Sequence, residues 1–252
     1  MDALEIDGVY KSFGGVRALD GASLRVRRRA IAGLIGPNGS GKTTFINVVT
    51  GLYPLDRGEV RFFGESLNGL SPHETALRGL ARTFQITRIF PKMTVLENML
   101  VAPKGQVGES LISTFLRWGR VMDQEVRSRE KAMELLGFLE LDHLKNEYAG
   151  NLSGGQQKLL ELGRVLMTDP KMILLDEPIA GVNPTLALRI CDRIEDLRRV
   201  EGMTFLIVEH NMDVVMNFCD SIFVMNKGQV VAEGSPEEIQ KDENVIEAYL
   251  GG

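Results

Sequence analysis

The 252-residue chain predicts an α/β fold, and three observations carry that prediction. Short, continuously apolar runs stand at Ile31-Ala32-Gly33-Leu34-Ile35, Met172-Ile173-Leu174-Leu175 and Phe205-Leu206-Ile207-Val208, the pattern of parallel strands buried on both faces. Each run is soon followed by residues with functional chemistry, as in open sheets whose ligands bind beyond the strand ends. Helical spacing appears at Leu186, Ile190, Ile194 and Leu197, and again at Ala132, Leu135, Leu136 and Leu139.

From the N-terminus, Leu4 and Ile6, Leu24 and Val26, and Val60 and Phe62 alternate with polar neighbours. Period two with one wet face predicts short antiparallel strands in a small sheet at one edge. Arg25 to Arg29 places four arginines in five positions and reads as a solvated turn. A helix is predicted from Thr43 to about Thr50, with Gly51 placed to end it. Residues 87–149 are rich in Leu, Met, Glu, Lys and Arg and show no convincing strand. They predict a helical subdomain inserted into a core made of residues 1–86 and 150–252.

Composition narrows the function classes. Lys plus Arg is 29 against 34 for Asp plus Glu, a net charge of −5, so binding nucleic acid through overall charge is not expected. The longest charge-free stretch, Thr43 to Leu55, is far short of the roughly 20 apolar residues that span a bilayer. The first residues do not read as a signal peptide. Cys191 and Cys219 have no metal or redox spacing and read as buried thiols. The expectation is a cytoplasmic protein whose membrane role, if any, comes through a partner.

Gly36-Pro37-Asn38-Gly39-Ser40-Gly41-Lys42-Thr43 matches the phosphate-binding P-loop pattern G-x-x-x-x-G-K-[ST], after a strand and before a helix. Its glycines let backbone N–H groups curl around a polyphosphate at a helix N-terminus, with Thr44 continuing the first turn. Lys42 would reach the β- and γ-phosphates, and the Thr43 hydroxyl would ligate Mg²⁺. The run 172–175 ends in Asp176-Glu177. Asp176 would hold Mg²⁺ directly or through water, and Glu177 would polarise the attacking water. These motifs alone describe a P-loop nucleotide binder.

Leu152-Ser153-Gly154-Gly155-Gln156, with Gln156 20 residues before Asp176, resembles the signature motif of ATP-binding cassette (ABC) ATPases. Gln85, 43 residues after Lys42, matches the Q-loop, and His210, 34 after Asp176, matches the switch histidine. Phe13, ahead of Ala18-Leu19, matches the aromatic that stacks on adenine, although an apolar ring is as a rule core. The resemblance covers essentially the whole chain as one cassette, with no fused partner domain and no C-terminal regulatory domain. It implies a P-loop core of mixed sheet flanked by helices. It also implies a head-to-tail homodimer, or a heterodimer with a homologous ATPase, holding two ATP molecules. Ser153, Gly154, Gly155 and Gln156 would meet the γ-phosphate of the opposite subunit. Gln85 would contact Mg²⁺ or the water, and His210 the γ-phosphate; outside this context His210 would read as an ordinary polar residue at a strand end. His73 and His143 read as surface residues.

Two positions depart from the commonest pattern of that family. Asn183 stands where the usual loop has Asp and supplies no charge, and Arg29 stands where glycine is common. In the transporter branch, membrane permease subunits dock near the Q-loop. Ile86 to Val95 offers candidates for that contact, with ordinary packing as the competing reading. The strings Arg82-Thr83-Phe84-Gln85, Met93 to Asn98, Ile179 to Pro184 and Glu209 to Asp213, with an extension around Gly105 to Gln124, resemble the branched-chain amino acid importers. The resemblance therefore implies an ATPase peripheral on the inner face of the membrane, served indirectly by a solute-binding protein. An ATPase for urea or another solute, for lipopolysaccharide export, or a non-transport ABC protein on DNA or ribosomes are the alternatives.

Overall fold

A computed structural model describes residues 1–83, 88–104, 118–242 and 245. Gln85, Ile86, Thr87 and most of the extension after Gly105 lie outside them. The chain divides into two compact units, the first holding Met1–Arg82, Pro170–Pro178 and Ile194–Gly252, the second Thr83–Asp169 and Ile179–Arg193.

In the first unit, β1 (Asp2–Phe13) and β2 (Val16–Arg27) form a hairpin. Gly14 and Gly15 turn it with φ of 52° and 89°, and two successive positive φ values are what a tight type I′ turn demands. β4 (Arg57–Phe62) and β5 (Glu65–Ser66) complete an antiparallel sheet in the order β2-β1-β4-β5, the edge sheet that the alternation predicts. β1 and β2 run 12 residues each, longer than the short strands expected. Lys11 and the Ser12 N–H both bond to Asp56, which keeps the polar end of β1 extended.

The second sheet of this unit contains β3 (Ile31–Ile35), β6 (Leu80–Arg82), β7 (Met172–Asp176), β8 (Thr204–Val208), β9 (Ser221–Asn226) and β10 (Gln229–Gly234). Its order is β10-β9-β3-β8-β7-β6, parallel except for the β9–β10 hairpin. Every residue of β3, β7 and β8 is buried, as two-sided cover requires. One apolar core joins both sheets to α1 (Lys42–Val49) through Phe45, Ile46, Leu34, Leu206 and Phe223. α2 (Pro72–Leu77) starts on a Ser71–Glu74 capping box.

Arg25 and Arg27 project from β2 as exposed residues and Arg28-Arg29 make the turn. Arg29 has φ 59°, the left-handed conformation that favours glycine, and its N–H donates to Thr204 Oγ1 at 2.9 Å. Arginine therefore occupies a left-handed position of the kind that favours glycine. Cys191 and Cys219 are buried and form no disulfide.

The second unit is helical among the described residues. It contains α3 (Val95–Leu100), α4 (Trp118–Phe138) and α5 (Gly154–Leu166), with short 3₁₀ turns at Asp142–Leu144 and Ala149–Asn151 and an isolated bridge between Thr94 and Tyr148. α6 (Pro184–Glu201) begins in this unit and ends in the first. α7 (Met212–Phe218) and α8 (Pro236–Ile239) belong to the first unit.

Candidate nucleotide-binding site

β3, β8 and β7 are neighbours, and Val208 pairs with both Leu34 and Asp176. The segments leaving the three strands therefore emerge side by side: the loop 36–43, Asp176-Glu177, and Glu209-His210. This is the crevice beyond the strand ends where open α/β sheets bind ligands.

The loop 36–43 is shaped by close backbone packing. Gly36 has φ 151°, and a Cβ there would stand 2.1 Å from the Met225 carbonyl oxygen of β9. A Cβ on Gly41 would stand 2.6 Å from the Ala18 carbonyl, which ties the loop to the hairpin that carries Phe13. Gly41 is also the N-cap of α1 and has no side chain to cap it, so no side-chain cap serves the first-turn N–H groups. Lys42 Nζ donates to the Gly36 and Pro37 carbonyls at 2.7 and 3.0 Å. Burial lowers the Lys42 pKa, against the opposing charges of Glu177 and Asp176.

Glu177 has φ 51°, costly for a side chain of this size, and its N–H donates to the Val208 carbonyl at 2.9 Å. The turn aims the carboxylate at His210, whose Nε2 lies 3.0 Å from Glu177 Oε1. Burial raises the Asp176 pKa above the ordinary carboxylate value; Arg82 opposes this, Glu177 adds to it, and Lys42 and His210 oppose it. A raised folded-state pKa means that the stability tied to this carboxyl is present below the unfolded value and lost as pH rises through the folded one. In metal-free buffer, Asp176→Asn is thus expected to melt above wild type at neutral pH, with the gain vanishing in acid. A melting difference that stays constant with pH would remove burial as its cause.

Phe13 is 43% exposed at the hairpin tip and not in the core; its ring meets Tyr53 edge-on with centroids 5.2 Å apart. His73 and His143 are exposed. Gln85 lies outside the described residues. Ser153, Gly154, Gly155 and Gln156 fall in the second unit, where Ser153 caps α5: its hydroxyl accepts from Gln156 N and its N–H donates to Gln156 Oε1. A Cβ on Gly155 would stand 2.0 Å from Leu186 Cδ2, so a larger residue there would have to displace the Leu186 side chain.

Sequence reasoning gave no role to Arg82, whose Nη1 donates to Asn47 Oδ1 at 2.6 Å and Thr50 Oγ1 at 3.4 Å on the first helix. Nor did it find Asn98, which is fully buried and bonds to the Phe90, Met93 and Thr94 carbonyls and the Phe90 N–H. A charged residue ending a short strand, and an Asn inside an apolar helical stretch, were the available signals.

Residues 19–180 match the family described as ABC transporter. The chain belongs to that family. Residues 229–252 further match the family described as branched-chain amino acid ATP-binding cassette transporter. The cassette is 47% identical over 251 residues to the probable branched-chain amino acid transport ATP-binding protein LivG of Archaeoglobus fulgidus, covering 100% of this chain and 96% of that one. It is 39% identical to the high-affinity branched-chain amino acid transport ATP-binding protein BraF of Pseudomonas aeruginosa, covering 98% and 97%. A solved nucleotide-free cassette from an ABC transporter superposes with a TM-score of 0.87 at 43% identity, covering 100% of both chains. A dimeric cassette in a post-hydrolysis state, bound to ADP and Pi, gives 0.76 at 26% identity, with 92% and 98% covered. The cassette accordingly binds ATP, and its hydrolysis of ATP is coupled to transport. Among the described residues no helix is long and apolar enough to cross a membrane.

Proposed function

We propose that this cassette energises the import of branched-chain amino acids. It works as one of two cassettes in a head-to-tail dimer docked on integral permease subunits at the inner face of the membrane, with a solute-binding protein delivering the cargo. The observation that carries the solute is likeness over nearly the full length to relatives named for that transport, reinforced at the C-terminal residues 229–252. Cells lacking this chain are expected to lose uptake of leucine, isoleucine and valine and to regain it with the gene restored. Unchanged uptake of all three would overturn the solute reading.

The first unit offers the chemistry for hydrolysis. Phe13 presents an exposed ring to adenine. The loop N–H groups, with Lys42 swinging from two backbone carbonyls, hold the β- and γ-phosphates. Glu177 orients the attacking water and accepts its proton, and His210 fixes that carboxylate and bonds the γ-phosphate. Among the described residues no three His, Cys, Asp or Glu side chains converge as a metal cage. The donor set fits Mg²⁺ nonetheless: it binds through one or two protein ligands plus substrate phosphates, and the buried Asp176 carboxylate and the exposed Thr43 hydroxyl are oxygen donors of that kind. Bound there, Mg²⁺ would neutralise charge on the β- and γ-phosphates. Gln85 completes that set by its position in the sequence. Ser153, Gly154, Gly155 and Gln156 serve the nucleotide held by the opposite cassette, and residues 88–95, braced by Asn98, form part of the permease contact.

A further inference from the structure

α4 ends in a Schellman motif: Glu140 N donates to the Gly137 carbonyl at 3.1 Å and Leu141 N to the Leu136 carbonyl at 2.8 Å, with Leu136 and Leu141 buried. The residue that turns such a motif is normally glycine, because it must be left-handed. Here it is Glu140, at φ 59°. The side chain at this strained position makes contacts that glycine could not.

Its carboxylate is forked between two arginines one turn apart on α6. Glu140 Oε2 lies 3.1 Å from Arg189 Nη1, and Oε1 lies 2.6 Å from Arg193 Nη2. Arg193 also stands 5.2 Å over the Phe138 ring. Asn183 stands just before the same helix and its Oδ1 accepts from Leu186 N at 3.0 Å, and Leu186 packs on Gly155 of α5. Ser153, Gln156, Asn183, Thr185, Arg189 and Glu140 line one cleft of about 760 Å³. The start of α6 thus has two attachments within the helical unit: Leu186 on Gly155, and the two arginines on Glu140.

We propose that Glu140 is a positioning residue for the nucleotide-sandwiching face, holding the Asn183 end of α6 in register with the Ser153 end of α5. This rests on the reading that Ser153 to Gln156 serve the opposite cassette's nucleotide. Each ion pair is exposed and contributes little to global stability; the fork acts by fixing where α6 starts.

The test is Glu140→Gly in the full chain, alone and combined with Glu177→Gln. Glycine relieves the left-handed strain, so the variant is expected to melt within about 2 °C of its parent or above it. ATP affinity of the isolated cassette is expected to stay within about twofold, while ATP-driven dimerisation weakens and turnover falls, each about tenfold. The exchange Glu140→Arg with Arg193→Glu should recover part of the dimerisation. Parental dimerisation and turnover in Glu140→Gly would overturn the proposal. So would a fall in melting temperature with an equal loss of ATP affinity, since Glu140 would then be a structural brace. Failure of Glu177→Gln alone to dimerise with ATP would instead sink the dimer reading, and this inference with it.

Discussion

Glu177→Gln is expected to bind ATP with near-native affinity and to turn it over at least about 100-fold more slowly, the usual scale of a lost general base. The amide keeps the shape of the carboxylate and the left-handed turn that aims it, so the site is assembled but accepts no proton. ATP-bound dimer should therefore accumulate, visible as an ATP-dependent doubling of mass in solution. Removing His210 with Glu177 intact should cost turnover in the same direction, because Nε2 lies 3.0 Å from the carboxylate. Wild-type turnover in Glu177→Gln would place the base elsewhere. A mutant that loses ATP binding as well as turnover would show that Glu177 holds the site together, not the water.

Gly36→Ala is expected to have the largest effect on stability, a loss of about 2–4 kcal/mol by equilibrium denaturation. Its Cβ would stand 2.1 Å from the Met225 carbonyl oxygen, a backbone atom within a paired strand, and φ of 151° leaves no relaxed alternative. The contrast is Gly39→Ala, whose Cβ meets nothing within 4 Å; its strain comes from φ 79° alone, and about 1 kcal/mol is expected. Equal unfolding midpoints for the two variants would mean that β9 yields at Met225 and that the close approach does not govern the loop.

How much of this was legible varied with the physics. β3, β7 and β8 were plain because a parallel strand covered on both faces excludes polar residues from the whole run. The first helix was plain from its loop and from Gly51. β5 and β6 were not, since two or three residues carry no measurable period. The apolar run of β9 was as clear as the others and went unread for want of a functional residue after it. The motifs that mark the family were legible because phosphate chemistry demands fixed residue types at fixed spacing. That Ser153 caps its own helix follows from Gln156 three residues on, a capping box that the signature motif conceals.

The sequence by itself determined the α/β class, the P-loop pattern at residues 36–43, the two carboxylates at the end of β7 and the kinship with ABC ATPases. Each of these rests on short contiguous motifs and on their order and spacing along the chain. Only the tertiary structure brought His210 to Glu177 across 33 residues, and set Arg82 against Asn47 and near Asp176. It alone seated Leu186 on Gly155 and forked Glu140 between Arg189 and Arg193. Those relations depend on which side chains packing brings within a few ångströms, and separation along the chain carries no record of that distance.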